Sequence, residues 1–366
     1  LLLQDGTSIS SSSCRSLTRT LSVTRTVDSS RVPDSSSACW SVITFVTLAE
    51  GAVHEVLRFD ALLMIGVYGE GHEGCAMNEP VALIGAGALG TVLGYHLAAA
   101  GRPVVVCGRT EVDRLAVTFD EDEPRGQPVK WVAAPEKLPA VRWAVLATKI
   151  GATAEVADWL ARLPADGGVL VAQNGVDQRE RVGAFTAAKA VPALAYLNCE
   201  RLGPGHSLTR RTGRGIVVPD DDGGRAVAGL YEGSGLIVDV MADFSTAVWE
   251  KLVVNVVTNS LTALTGRRME MLGDPDLRAL ALELAAETAA VARADGAALT
   301  VERAHGVVEW IAGIDPQLPT SMLQDRWAGR PLEHDGLLGP VVSRGEQHGV
   351  PTPVTTTVLR LLRGLR

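Results

Sequence analysis

Lys251, Asn255 and Asn259 recur at four-residue intervals in the segment Trp249-Glu250-Lys251-Leu252-Val253-Val254-Asn255-Val256-Val257-Thr258-Asn259. On a helix this spacing places all three on one face. The residues between them are almost wholly apolar, so such a helix is buried on most sides. A buried ammonium and buried amides require hydrogen-bonding partners. A polar ligand held between domains meets that requirement. The alternative is a solvated edge of an amphipathic helix, although such edges usually carry charged pairs rather than two asparagines. Lysine occurs only at positions 130, 137, 149, 189 and 251 while arginine is plentiful, which makes a lysine in an apolar setting more informative.

A second group lies in Thr320-Ser321-Met322-Leu323-Gln324-Asp325, continuing to Glu333. Ser321 and Asp325 share a helix face, a pattern that by itself is that of a capped helix with a structural aspartate. Lys149 closes the strand candidate Ala144–Thr148, and Asn174-Gly175 follows the candidate Gly168–Gln173. Both stand at carboxyl ends of parallel strands, where open α/β sheets bind ligands. Taken singly, each also reads as a turn residue.

The segment Gly85-Ala86-Gly87-Ala88-Leu89-Gly90 is a GxGxxG between a strand (Val81–Ile84) and a helix (Ala88–Ala100). Gly85 allows the tight turn, Gly87 lets a pyrophosphate approach the backbone, and Gly90 lets helix and strand pack closely. The helix N-terminus then offers free N–H groups to phosphate. The second strand, Pro103–Cys107, ends in Gly108-Arg109-Thr110, where an NAD-binding chain usually has Asp or Glu. Arg109 suits a 2′-phosphate instead, through two parallel N–H groups, and so points to NADP(H).

The elements that must position these residues follow from hydrophobic periodicity. Further strand candidates are Trp143–Ala147, Gly168–Ala172, Val191–Tyr196, Gly215–Val218 and Leu236–Val240, with helices over Ala152–Leu163 and after Gly175. This alternation predicts a mostly parallel sheet with helices on both faces, an α/β Rossmann domain spanning 77–242. From 243 to 366 the strands stop and an all-α domain follows, with helices over Thr246–Leu264, Asp276–Asp295, Thr300–Ile314, Ser321–Ala328, Glu333–His348 and Pro353–Leu365. Residues 1–76 differ in character. The first 41 carry 13 serines and show no persistent period, which reads as a disordered extension. A targeting segment is the alternative there, since 14–31 is rich in Arg and Ser.

The chain has 366 residues, 46% hydrophobic and 21% charged, with a net charge of −8. That is enough for two domains with large cores, and it gives no electrostatic support to a nucleic-acid or anionic-membrane partner. Cys14, Cys39, Cys75, Cys107 and Cys199 are scattered and odd in number, so neither a disulfide framework nor a metal site is indicated. No apolar run reaches the roughly 18 residues of a membrane span. A cytoplasmic protein acting on a small molecule is expected, and a homodimer is compatible with this.

The motifs GAGALG, ATK, QNG, WEKLVVNVVTNSLTAL and SMLQDRWAGRPLEHDGLLG, in this order over about 77–366, resemble the ketopantoate reductase family. The resemblance implies a Rossmann domain and a helical domain with the active site between them, and reduction of 2-dehydropantoate to (R)-pantoate with NADPH. It implies Lys251 as general acid, Asn255, Asn259 and Ser321 as substrate ligands, Asn174 at both cofactor and substrate, Lys149 at the cofactor, and Glu333 at the cleft, where it could position Lys251 or a substrate hydroxyl. The chemistry agrees, because hydride addition to a ketone leaves an alkoxide that a neighbouring ammonium can protonate. Family members often carry a further asparagine beyond the lysine helix; Gly266-Arg267-Arg268-Met269-Glu270-Met271-Leu272 supplies none. A reductase of another branched 2-keto acid is the rival enzyme reading. A non-catalytic dinucleotide sensor is weaker, since sensing needs no proton donor. Arg109→Ala is expected to raise KM for NADPH strongly and leave KM for NADH nearly unchanged in steady-state kinetics; equal losses would make Arg109 a structural residue.

Overall fold

The computed structural model describes residues 7–13, 19–25 and 79–365. The chain divides into two units, Leu1–His72 and Glu73–Arg366. In the first, strands β1 (Thr7–Ser13) and β2 (Arg19–Arg25) pair antiparallel. Threonine, isoleucine and valine among the serines suit these two pleated strands. The rest of 1–76, including Trp40–Tyr68, lies outside the described residues.

The second unit opens with β3 (Val81–Ile84), α1 (Ala88–Ala99), β4 (Val104–Cys107), β5 (Arg114–Phe119), β6 (Arg125–Pro128), β7 (Lys130–Val132) and β8 (Trp143–Leu146). It continues through α2 (Ala157–Leu160), β9 (Gly168–Val171), α3 (Gln178–Gly183), β10 (Lys189–Pro192), β11 (Leu194–Ala195), β12 (Asn198–Gly203), β13 (His206–Arg210), β14 (Ile216–Pro219), α4 (Asp222–Leu230) and β15 (Val238–Met241). Six strands form a parallel sheet in the order β10-β9-β8-β3-β4-β7. Both faces of this sheet are covered, which is why its central strands are apolar at every position rather than alternating. Leu83, Val106, Val145 and Leu170 pack towards α1 and α4. Ile84, Val105, Leu146 and Val171 pack with Trp159, Leu160 and Val182 on the other face. The strand order reverses between β3 and β8, and ligands bind at such a switch point, outside the carboxyl ends of the strands.

From Phe244 the chain is helical: α5 (Phe244–Thr265), α6 (Pro275–Ala294), α7 (Val301–Ala312), α8 (Ser321–Trp327), α9 (His334–Leu337), α10 (Gly339–His348) and α11 (Pro353–Arg363). The Asp243 side chain accepts from Thr246 N at the start of α5, and Gly266 ends that helix in the left-handed region at φ +72°, a conformation glycine adopts without a Cβ penalty. α5 packs against α6, α7, α8 and α11. Its Trp249, Leu252, Val253, Val256, Val257 and Leu261 are buried in the helical core, each such side chain favouring the fold by roughly 1.5–3 kcal/mol.

Several elements differ from the periodicity. Over Ala152–Leu163 the chain forms 3₁₀ turns at Ile150–Ala152 and Ala154–Val156 before the short α2. Thr153 Oγ1 donates to Ile150 O at 2.7 Å and keeps that segment tightly turned. Val191–Tyr196 is not one strand: β10 ends the six-stranded sheet, and β11 pairs antiparallel with β14 in a separate sheet, β11-β14-β15. The segments Gly215–Val218 and Leu236–Val240 therefore extend this small sheet rather than the main one. Glu333–His348 breaks at Leu338, before Gly339 and Pro340 at the start of α10. A mixed sheet, β12-β13-β5-β6, was not expected, because its strands are half exposed and polar at many positions.

Gly90 carries the tightest packing of the phosphate turn. A Cβ there would lie 1.9 Å from Gly85 O. Gly90→Ala is expected to destabilise the protein by about 1–3 kcal/mol, the usual cost of overpacking, and to lower the thermal midpoint. An unchanged midpoint would sink the close-packing account.

Candidate active site

The turn after β3 meets the requirements of a phosphate cradle. Gly85 has φ +98°, and a side chain there would press against Thr148 N at 2.7 Å. Gly87 is open, with nothing within 4 Å of where its Cβ would stand. α1 begins without a side-chain cap or an acidic residue in its first turn, so its leading N–H groups, from Ala88 and Leu89 onward, stay available to an anion. A cleft of about 410 Å³ adjoins this turn, lined by Gly85, Ala86, Gly108, Arg109, Thr148 and Glu155 among others. Arg109 is exposed at its edge, and among the described residues no carboxylate pairs with it. An open glycine, an uncapped helix end and an uncommitted guanidinium fit a dinucleotide bearing an extra phosphate.

Lys251 lies where the two halves of the unit meet. The first turns of α5 dock on the small sheet through Phe244, Ala247 and Val248 against Leu194 and Val217. That docking brings the Lys251 ammonium to Ala195 O at 2.7 Å and to Asn174 Oδ1 at 3.4 Å, with its Nζ 5.5 Å from the centre of the Tyr196 ring. Burial, reinforced by the nearby Arg214 guanidinium, pushes the Lys251 pKa down to about 8. A small cavity lined by Asn174, Gly175, Lys251 and Asn255 opens beside it. Asn255 Oδ1 accepts from Asn259 Nδ2 at 3.2 Å. Asn259 is 4% exposed, and its Oδ1 accepts from Ser321 Oγ at 3.2 Å and from Met322 N at 3.1 Å. The Asn259 amide thus ties α5 to the start of α8, while Asn255 lines the cavity.

Glu333 does not touch Lys251 among the described contacts. Its Oε1 accepts from Ile150 N at 2.8 Å, and its Oε2 from Lys149 at 3.3 Å. Lys149 also donates to Asp325 Oδ2 at 2.8 Å. Burial works against the Lys149 charge, but Glu333 and then Asp325 outweigh it and hold the pKa above the ordinary lysine value. Of the two roles expected for Glu333, positioning Lys251 or a substrate hydroxyl, the described contacts connect it to neither; they join it to Lys149 and Ile150 N, just after β8. Asp325, 3% exposed, also accepts from Arg330 Nε at 2.8 Å. Gln173, absent from the expected site, holds the loops together. Its Nε2 donates to Thr148 Oγ1 and Thr153 Oγ1 at 3.0 Å, and its O accepts from Gln178 at 2.6 Å. Its position immediately before Asn174 was the available signal.

Comparison with known proteins places this geometry in context. The family model described as Ketopantoate reductase PanE/ApbA matches residues 81–221, and the one described as Ketopantoate reductase PanE/ApbA C terminal matches 243–366. The chain is 35% identical to a 2-dehydropantoate 2-reductase of Mycobacterium tuberculosis over 289 residues, covering 78% of this chain and 97% of the relative. It superposes on a PanE/ApbA family ketopantoate reductase of Ralstonia eutropha with a TM-score of 0.70 at 27% identity, covering 78% and 97% of the two chains. A dimeric ketopantoate reductase of Staphylococcus aureus shares the fold at a TM-score of 0.70 and 24% identity, covering 78% and 98%.

The two asparagines of α5 should respond differently to truncation. Asn259→Ala leaves Ser321 Oγ and Met322 N without their acceptor, so a loss of about 1–3 kcal/mol in stability is expected, with a matching fall in thermal midpoint. Asn259→Asp retains the acceptor and should recover much of it. Asn255→Ala removes only the acceptor of Asn259 Nδ2, beside the cavity, and should lower the midpoint less than Asn259→Ala. Equal midpoints for all three variants would contradict the tie between α5 and α8.

Proposed function

The chain belongs to the ketopantoate reductase family, so it is an NADP(H)-dependent oxidoreductase that reduces 2-dehydropantoate on the route to pantothenate; we propose that the product is (R)-pantoate and that Lys251 delivers the proton. The observation that carries this reading is the Lys251 ammonium, partly buried at the cleft, held by one carbonyl and one amide oxygen, with its pKa drawn down to about 8. NADPH, when bound, supplies the hydride. An ammonium has three N–H donors. Ala195 O and Asn174 Oδ1 take two of them, leaving one for the keto oxygen. In that position Lys251 polarises the carbonyl and then protonates the alkoxide as it forms. The lowered pKa brings the proton closer to transfer at neutral pH, while the amine remains mostly protonated there.

The other residues bind and orient. Asn255 donates to a substrate oxygen through its free N–H₂. Ser321 and Asn259 shape the far wall, with Ser321 Oγ able to turn from Asn259 to the substrate carboxylate. Gly85 to Gly90 and Arg109 hold the dinucleotide phosphates. Lys149 stands at the switch point beside Asn174 and meets the cofactor as a cation kept charged by Asp325 and Glu333, and Glu333 in turn fixes the Ile150 turn at the cleft. Arg268 does not substitute for the absent asparagine, since its guanidinium donates to Gln317 O at 2.7 Å and lies over Trp327. The substrate end remote from the carboxylate is thus read differently here, which favours keeping other branched 2-keto acids as the second reading. A panel of such acids with NADPH separates the two: the highest kcat/KM should fall to 2-dehydropantoate. This reading also carries a cytoplasmic location and a homodimer, the latter checked by light scattering. Among the described residues no helix is long and apolar enough to cross a membrane.

Lys251→Ala is expected to lower kcat by about 10²–10⁴, the worth of a positioned acid, with NADPH affinity little changed. Arginine at 251 should not rescue turnover, because its pKa is too high for ready proton donation. Since the protonated amine is the active form and its pKa lies at about 8, kcat in the reductive direction should hold at neutral pH and fall as pH rises through 8. A Lys251→Ala enzyme with near-normal single-turnover rates, or a flat profile through pH 8 to 9, would remove Lys251 from the chemistry.

A further inference from the structure

We infer that Arg201 is a second determinant of NADP(H) specificity, meeting the 2′-phosphate from the β12–β13 hairpin while Arg109 meets it from the end of β4. The inference rests on the assignment of the 410 Å³ cleft to the dinucleotide. Arg201 lines that cleft together with Arg109, Pro204 and Gly205. It is exposed, and among the described residues neither arginine engages a carboxylate.

Both arginines lie on segments that connect to β5. Arg109 leaves β4 just before β5 begins at Arg114. The hairpin that carries Arg201 is fastened to β5 by the parallel pairing of His206 with Ala116 and by Ala116 N donating to Gly205 O at 2.7 Å. Gly205, at φ +63°, makes this approach possible: a Cβ there would lie 2.6 Å from both Arg114 O and a methyl of Val112. The four-stranded sheet thus brings the hairpin that carries Arg201 to the cleft that Arg109 also lines. The carboxylate in the lining, Glu155, comes from the turn after β8, on the other side of β3. Two arginines without carboxylate partners lining one cleft, Arg109 after β4 and Arg201 on β12, suit a dianionic phosphate, which accepts from several N–H donors at once. A ribose hydroxyl gives such a pair no charge to bind.

The test uses the full chain. NADPH and NADH binding are measured by nucleotide fluorescence, and 2′,5′-ADP and 5′-ADP binding by calorimetry, for wild type, Arg201→Ala, Arg201→Lys and Arg109→Ala. Arg201→Ala is expected to weaken NADPH and 2′,5′-ADP by about 10–100-fold, the worth of a charged hydrogen bond, and to leave NADH and 5′-ADP within about twofold. Arg201→Lys should recover part of the loss by keeping the charge. Equal weakening of phosphorylated and unphosphorylated nucleotides, or no weakening of either, overturns the role of Arg201. If Arg109→Ala is selective and Arg201→Ala is not, the cleft assignment stands and this inference alone fails. If neither variant distinguishes NADPH from NADH, the cleft assignment fails and this inference with it.

Discussion

An ammonium on an apolar helix is stable only where oxygen atoms meet it, and those that meet Lys251 lie in the other half of the unit. Ala195 O belongs to β11 and Asn174 Oδ1 to the loop after β9. Keeping Lys251 charged therefore requires α5 to dock on the small sheet, which the apolar contacts of Phe244, Ala247 and Val248 with Leu194 and Val217 provide. It also requires the Asn174 loop to hold still. Gln178 and Arg181 accomplish that by donating to the carbonyls of Gln173 and Asn174. The cost of an unmet buried charge is several kcal/mol, larger than any single contact in this arrangement, so the halves and the lysine are constrained together.

Two lysines face the same junction with opposite proton affinities. At Lys251, burial and the neighbouring Arg214 guanidinium both favour the neutral amine, and no carboxylate opposes them among the contacts described. At Lys149, burial favours the neutral amine too, but Glu333 and Asp325 outweigh it. Such divergence separates a group that can give up a proton from one that serves as a fixed cation. The difference arises from placement: α8 and the residue before α9 bring their acids to Lys149, just after β8, while the first turns of α5 meet the small sheet with Phe244, Ala247, Val248 and Lys251. Arg214, packed 3.6 Å from the Tyr196 ring centre, adds positive potential to the Lys251 side.

α8 links these two environments. Its N-terminus is held by Thr320 and by Asn259 Oδ1, and Thr262 pairs with Thr320 across to α5 at 2.7 Å. One turn later the same helix delivers Asp325 to Lys149. A seven-residue helix is too short to hold its own shape in water, so its position depends on these caps and on Met322 and Leu323 in the core. Displacement of Asn259 would reach Lys149 through α8 as well as Lys251 through α5.

The amino-acid sequence by itself determined the parts of this protein that depend on local periodicity. The strand–glycine turn–helix of the phosphate site, the α5 face bearing Lys251, Asn255 and Asn259, and the change from α/β to all-helical structure near 243 are legible because backbone period and side-chain type coincide over many residues. Only the tertiary structure decided which oxygen atoms meet Lys251 and that Glu333 serves Lys149. It also decided that the Asn259 amide is spent between helices and that Arg201 lines the same cleft as Arg109. Each of these pairs groups dozens of residues apart: Lys149 and Glu333 are separated by 184 positions, Lys251 and Ala195 by 56. A period repeats over a few residues, whereas such pairings are set by how sheets and helices stack. The strands β6, β12 and β13 escaped for the same reason: they are held by long-range pairing and have little apolar rhythm of their own, while β5, which buries Leu115 and Val117 on alternate positions, is a short strand among polar neighbours.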